Sequence, residues 1–336
     1  MTEVRVAGVG LTRFGSHPDR TGRDLFATAA ERAFADADVP RADVARLNYG
    51  NFIGALAEQQ GHQAPLMAEA AGIRAPATRY ESACASAGVA VREAVRTIRA
   101  GDADVVLAGG MERMTNLETP AVTEGLAMAA DDLFEVHAGV TFPGAYALLA
   151  RAYFEAHGGT RRDLAHIAVK NHANAVPNEY AQFRDPISIR DALDAPPVAD
   201  PLHLYDACPI TDGASAIVLV SASYAADNDI DAPVAVTGAG QGSDRMALAD
   251  RADLTRTPAA VAAAETAYDA AGVEPDDVDL AEVHDCFTIA EVLAIESLGL
   301  AEPGAGVAAA RDGVTTADGD TPVNLSGGLK AKGHPV

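Results

Sequence analysis

Short apolar runs alternate along the chain with longer Ala-rich stretches in which apolar positions recur every three or four residues. Residues 4–10 are a run of apolar and glycine positions of strand length. Residues 24–36 put Leu25, Phe26, Ala29, Ala30, Ala33 and Phe34 on one side of a 3.6-residue helix. A second helix is predicted over 85–100, stopped by Gly101, and buried strands over 104–108 and 216–220. Strands that alternate with helices of this length point to an α/β sheet. Residues 113–203 break the rhythm. They are rich in Pro, His and Asn and read as a large irregular insertion, the kind of segment that usually binds something.

The pattern also repeats. Val4-Arg5-Val6-Ala7-Gly8-Val9-Gly10 resembles Val234-Ala235-Val236-Thr237-Gly238-Ala239-Gly240, and residues 37–44 resemble residues 271–278 in the same order. Two copies of one α/β unit explain that order. Aligning the copies sets Cys84 of the first against His334 of the second, two reactive corners related by a pseudo-twofold. A helix and two strands follow Cys84, whereas the sequence stops two residues after His334. About fifty further residues are therefore expected for a complete second copy, and a polypeptide ending at Val336 is expected to be unstable or inactive.

Composition narrows the class. The chain has 336 residues, 49% of them hydrophobic, enough for one large or two ordinary domains with a full core. No apolar stretch reaches the roughly 18 residues of a transmembrane span. The start, Met1-Thr2-Glu3-Val4-Arg5, lacks a basic region followed by an apolar run, so no signal peptide is expected. Cys84, Cys208 and Cys286 lie far apart and make no disulfide framework, which suits a reduced, cytoplasmic protein. The net charge is −23, and the only lysines are Lys170, Lys330 and Lys332. An acidic, Lys-poor surface suits solubility in concentrated salt and points to a halophile. It disfavours nucleic-acid binding, which needs a basic surface.

Three islands carry candidate chemistry. Glu81-Ser82-Ala83-Cys84-Ala85-Ser86-Ala87-Gly88 sets a thiol between a strand-like run and a helix of small residues. Orphan N–H groups and the helix dipole there should lower the thiol's pKa and could hold an oxyanion. His284-Asp285-Cys286-Phe287 follows a predicted strand over 279–283, at the edge where open sheets place ligands, and Thr288 is placed to cap the next helix. Ser326-Gly327-Gly328 leads to Gly333-His334-Pro335, where Gly allows a tight turn and Pro fixes the backbone after the imidazole. The Gly-rich stretch does not have P-loop spacing and otherwise reads as a flexible turn. Cys84, His284, Cys286 and His334 also contain zinc-type ligands, but no Cys-x-x-Cys pair exists and they come from three distant points. Cys208 precedes a predicted core strand and reads as structural.

Taken with Gly109-Gly110-Met111-Glu112 and Asp212-Gly213-Ala214-Ser215-Ala216, these islands resemble the thiolase superfamily, and within it the archaeal and sterol-carrier-protein-type thiolases. The resemblance covers essentially the whole chain. It implies duplicated α/β halves in a five-layer αβαβα sandwich. The first half would be 1–112 with 204–230, the loop domain that helps bind coenzyme A would be 113–203, and the second half, incomplete, would be 231–336. The implied activity is an acetyl-CoA C-acyltransferase working by ping-pong Claisen chemistry. Cys84 would be the acyl-accepting nucleophile, His334 its base, and His284 part of an oxyanion hole. Many thiolases take the α-proton with a cysteine of a C-terminal Cys-x-Gly motif. The sequence stops before one, so Cys286 or a histidine beyond residue 336 is the implied base. Ser243, Ser326, Gly327 and Gly328 are implied contacts of coenzyme A.

Coenzyme A thioesters would be substrates, with no tightly bound cofactor and no metal. Expected partners are a second copy or a tetramer, and a small OB-fold zinc-ribbon protein with hydroxymethylglutaryl-CoA (HMG-CoA) synthase, which would place the protein in the mevalonate pathway of lipid metabolism. A non-catalytic scaffold acting through that partner and a decarboxylating ketoacyl synthase are the alternatives.

Overall fold

The expected strand over 4–10 forms as Val4–Leu11, the second strand from one edge of a six-stranded sheet. The strand order is Ala77–Tyr80, Arg46–Gly50, Val105–Glu112, Gly213–Ser221, Val4–Leu11, Val234–Ala235. The first three run parallel, and the remaining neighbours pair antiparallel. The computed structural model describes residues 2–336 and divides into two compact units. This sheet belongs to the first, which comprises residues up to Glu118 with Thr211–Ala239 and Pro335–Val336.

The helices Gly22–Ala37 and Gln63–Ala70 pack on one sheet face and Ser86–Ala100 on the other. Every residue of Val105–Glu112 is buried, as a strand covered on both faces requires. Leu25, Phe26, Ala29 and Ala33, all fully buried, form the helix side of the larger core. Burial of Leu25 or Phe26 contributes about 1.5–3 kcal/mol each. Thr21 starts that helix with a reciprocal cap to Asp24.

The second unit comprises Thr119–Ile210 and Gly240–His334. The insertion expected to be irregular is largely helical, with Thr119–Ala127, Phe142–His157, Arg161–Ala175 and Ile189–Asp194. Several of its Thr, Ser, Pro and Gly residues are helix ends rather than loop. Thr141 accepts from the Gly144 N–H with Pro143 in the first turn, Gly158 ends that helix, and Ser188 and Asp191 form a reciprocal cap. The apolar cluster of this unit joins Phe142–His157 and Arg161–Ala175 to Thr288–Ser297 and Gly306–Arg311.

The repeat is visible in each unit by itself. Gly10 lies so close to its helix that a Cβ there would stand 1.9 Å from the Ala29 carbonyl oxygen, and Gly240 would meet the Ala263 carbonyl oxygen at 1.8 Å. Gly22–Ala37 ends in the left-handed Asp38, and Pro258–Ala271 ends in the left-handed Gly272. Single 3₁₀ turns follow, at Arg41–Asp43 and Pro275–Asp277.

Regular strands are another matter in the second copy. The run expected over 234–240 is a strand only at Val234–Ala235, and the strand expected over 279–283 is reduced to one parallel bridge between Ala281 and Val323. The ladder stops because the Val283 N–H is taken at 2.8 Å by a side chain, the Asn324 Oδ1, instead of a neighbouring carbonyl. Thr288 does not cap its helix either. Phe287 holds the cap position without a side-chain bond, and the Thr288 hydroxyl donates to the Asp206 carboxylate at 2.8 Å. Among the described residues, no helix is long and apolar enough to cross a membrane.

Candidate active site

The thiol corner is built by a tight strand-to-helix turn. After the edge strand Ala77–Tyr80, Ala83 takes a left-handed φ of 46°, and Ser82 and Cys84 form a bridge across it. A non-glycine residue in that region costs on the order of 1–3 kcal/mol, and local hydrogen bonds offset it here. The Ala83 N–H donates to Glu81 Oε1 at 2.7 Å. Ser86 Oγ accepts from the Ser82 N–H at 2.9 Å and donates to the Ala83 carbonyl at 2.6 Å. Sheet and helix meet closely behind the turn, where a Cβ on Gly50 would stand 2.4 Å from the Ala87 backbone.

Cys84 lies half-buried just before the helix, whose first residue is Ser86. The expectation of a lowered thiol pKa is overturned. Burial pushes the thiol up to about 11, and the Glu112 carboxylate adds to the effect. A backbone hydrogen bond to the thiol works against the rise without cancelling it. Glu112 is itself pushed up to about 8 by burial, although it accepts from the Phe52 N–H and the Asn51 amide.

The imidazole corner lies in the second unit. The His284 and His334 rings stand edge to face with centroids 5.0 Å apart. His334 is buried, follows Gly333 at a φ of 120°, and is held by a backbone bridge to Ile210. Desolvation, then the neighbouring His284, hold its pKa well below 6.5. His284 keeps part of its surface exposed, yet protein packed round the rest of its ring brings its pKa down to about 4. Solvent at the open edge works against this shift, and the direction stays downward. Both rings are therefore neutral at ordinary pH.

A buried polar network underlies this corner. Asp285 accepts from the Leu329 N–H at 2.6 Å, the Lys330 N–H at 3.3 Å and the Asn171 amide at 2.7 Å. Burial, then the charge of Glu291, push Asp285 up to about 7. Sequence reasoning assigned no role to Lys170, Asn171, Glu291 or Asn324. One signal was available, the scarcity of lysine: Lys170 pairs with Glu291, Lys330 lies over the Tyr205 ring, and Lys332 donates to Ser326.

The remaining predicted residues also belong to this unit. Cys286 is buried in the apolar cluster, and its carbonyl accepts from the Cys208 N–H at 2.9 Å. Turned into that cluster, it does not complete a ligand set with the two histidines. Ser326 is clamped by Glu282, to whose carboxylate both its N–H and hydroxyl donate. Gly327 packs against Ala175 and Gly328 against Asp285, at contacts too close for a side chain. Gly328–Lys332 is a wound turn with Gly328, Lys330 and Ala331 buried, rather than an open loop. Ser243 is exposed on an irregular stretch.

Neutral thiol and imidazole groups set in a mixed α/β fold are the equipment of acyl-transferring enzymes. Residues 4–223 match the family profile described as Thiolase, N-terminal domain, and residues 240–336 match Thiolase C-terminal domain-like. The chain belongs to the thiolase family. It is 44% identical to the acetyl-CoA acetyltransferase of Methanothermobacter thermautotrophicus over 100% of this chain and 87% of that protein. It is 38% identical to the acetyl-CoA acetyltransferase of Methanocaldococcus jannaschii, covering 86% of that protein. Among solved structures, an Ltp2-ChsH2(DUF35) aldolase superposes with a TM-score of 0.85 at 26% identity, over 99% of this chain and 86% of that one.

Proposed function

We propose that this thiolase joins two acetyl-CoA molecules to acetoacetyl-CoA, or cleaves a 3-ketoacyl-CoA in reverse, through an acyl group carried on Cys84. Two relatives of the same printed activity support the substrate class. The observation that carries the reading is protonation. A thiol at about 11 and imidazoles held below their usual range rest neutral, as a concerted proton transfer needs.

Cys84 Sγ adds to the acyl carbonyl while its proton passes to His334. The carbon–sulfur bond to coenzyme A then breaks, and coenzyme A leaves with that proton. His284 donates its N–H to the carbonyl oxygen as negative charge builds. In the second half Cys286 is the candidate base: its thiol, packed in the apolar cluster at rest, must turn out of it and release its own proton to solvent before it takes an α-proton from the incoming acyl-CoA. The carbanion displaces Cys84 from the acyl group, and the thiolate released is reprotonated with the proton Cys286 removed. Thiol, imidazole and thioester suffice, and no bound cofactor enters a step.

Incubation with acetyl-CoA followed by intact-protein and peptide mass spectrometry is expected to show one acetyl group on Cys84, absent from Cys84→Ala. An unmodified Cys84 in the full chain would sink the reading.

A second reading has one observation in its favour: the superposed aldolase is an assembly with a DUF35 component. On that reading the chain works as a homo-oligomer together with a small OB-fold zinc-ribbon protein. Full turnover by the purified chain alone would count against it.

A further inference from the structure

Glu291 is fully buried on the helix Thr288–Ser297, six residues after Asp285. Its Oε2 accepts from two amides, Asn171 Nδ2 at 2.9 Å and Asn324 Nδ2 at 2.8 Å. Its Oε1 lies 2.9 Å from Lys170 Nζ, which also donates to the Val323 carbonyl at 2.7 Å.

Two hydrogen-bonded paths leave this carboxylate. One runs through Asn324, whose Oδ1 holds the Val283 N–H at 2.8 Å, one residue before His284. The other runs through Asn171 to Asp285, then to the Leu329 N–H. From there the Leu329 carbonyl accepts from the Gly333 N–H at 3.2 Å, one residue before His334. The helix Arg161–Ala175, read from sequence as part of a coenzyme A-binding insertion, supplies the cation and one amide.

We infer that Glu291 is a positioning residue that holds His284 and His334 in their edge-to-face arrangement through Asn324 and Asn171. The inference rests on the acyl-transfer reading of the two histidines.

A buried ion pair is a weak source of stability, and apolar residues of similar volume often serve as well. What an apolar residue cannot do is orient an amide. Asn324 must present its oxygen to Val283 and its nitrogen to a carboxylate, and Glu291 fixes that choice. A glutamine there has one oxygen for three donors. An NH₂ facing the Lys170 ammonium would set donor against donor, so the oxygen turns to the lysine and the NH₂ is left facing the two asparagine amides, which breaks both paths.

In Glu291→Gln, kcat counted per titrated Cys84 thiol should fall on the order of 10- to 100-fold, with KM within about twofold, since misplaced groups cost turnover more than binding. The Cε1–H resonances of His284 and His334 should shift, and those of the exposed His62 should stay. In Lys170→Met/Glu291→Gln the glutamine oxygen can face both amides with no cation opposite, and kcat should return to within about threefold of wild type.

Wild-type kcat and unchanged His284 and His334 resonances in Glu291→Gln, with only a lower melting temperature, would overturn the inference. So would a double variant no better than the single one. Should Glu291→Gln fail to fold, Glu291→Asp keeps the charge and withdraws the carboxylate by one methylene. The same loss in kcat is expected there, and wild-type kcat would overturn the inference. Absence of turnover in the wild-type chain would count against the acyl-transfer reading instead, and the histidine resonances would still decide the role of Glu291.

Discussion

A thiol pushed up to about 11 attacks only when a base removes its proton in the same step. The alkylation of Cys84 by iodoacetamide should therefore keep rising by about tenfold per pH unit beyond the ordinary thiol midpoint near 8.5. The sign follows from the raised pKa: the thiolate fraction grows until pH reaches that value. A plateau in the rate by pH 9 would show instead that the thiolate is stabilised. The identity of Cys84, His284 and His334 as candidates was legible in sequence because each sits in a short, chemically distinctive island. The direction of the thiol's shift was not. A helix N-terminus is a local feature and can be read from the sequence, whereas the burial of the thiol and the charge of Glu112 beside it are set by tertiary packing. The brace of Lys170, Asn171 and Glu291 was hidden for the same reason, since the Asn171–Glu291 partners lie 120 positions apart.

In the first unit the strands Val4–Leu11, Val105–Glu112 and Gly213–Ser221 and the helices Gly22–Ala37 and Ser86–Ala100 were read from their apolar periods, whereas the strand Arg46–Gly50 and the helices Gln63–Ala70 and Ala222–Asp227 went unread. The helices of the insertion were missed, since their caps concentrate the residues that usually mark loops. The second copy kept its helix, left-handed stop and 3₁₀ turn but not its strand, because strand character is completed by a neighbour and Val283 has a side chain instead. Close approach of helix and sheet gives a prediction at this scale. Gly50→Ala places a methyl 2.4 Å from the Ala87 backbone and must move the helix that carries Cys84. It should cost about 1–3 kcal/mol in thermal melts and most of the Cys84 acylation rate. Gly88→Ala, exposed on that same helix with nothing within 4 Å of the new methyl, should stabilise by roughly 0.5–1 kcal/mol. Equal melting temperatures for the two variants would contradict this packing.

Over the whole molecule, 48 acidic residues face 25 basic ones, and most of the ion pairs are exposed and individually weak. Like-charge repulsion should dominate the surface energy, so raising KCl from about 0.1 M, where the screening length is about 10 Å, to about 1 M, where it is about 3 Å, should raise the melting temperature. A flat or falling response would mean that the acidic groups are already compensated. Lysine scarcity has a different consequence. Lys170 and Lys330 are buried, and Lys332 is partly buried with its amine on Ser326. The side-chain amines that thioesters acylate without a catalyst are thus withdrawn from the surface. A protein that handles reactive acyl groups exposes almost no lysine for them to modify by accident, and its folded form offers equally little to amine-directed dyes and cross-linkers.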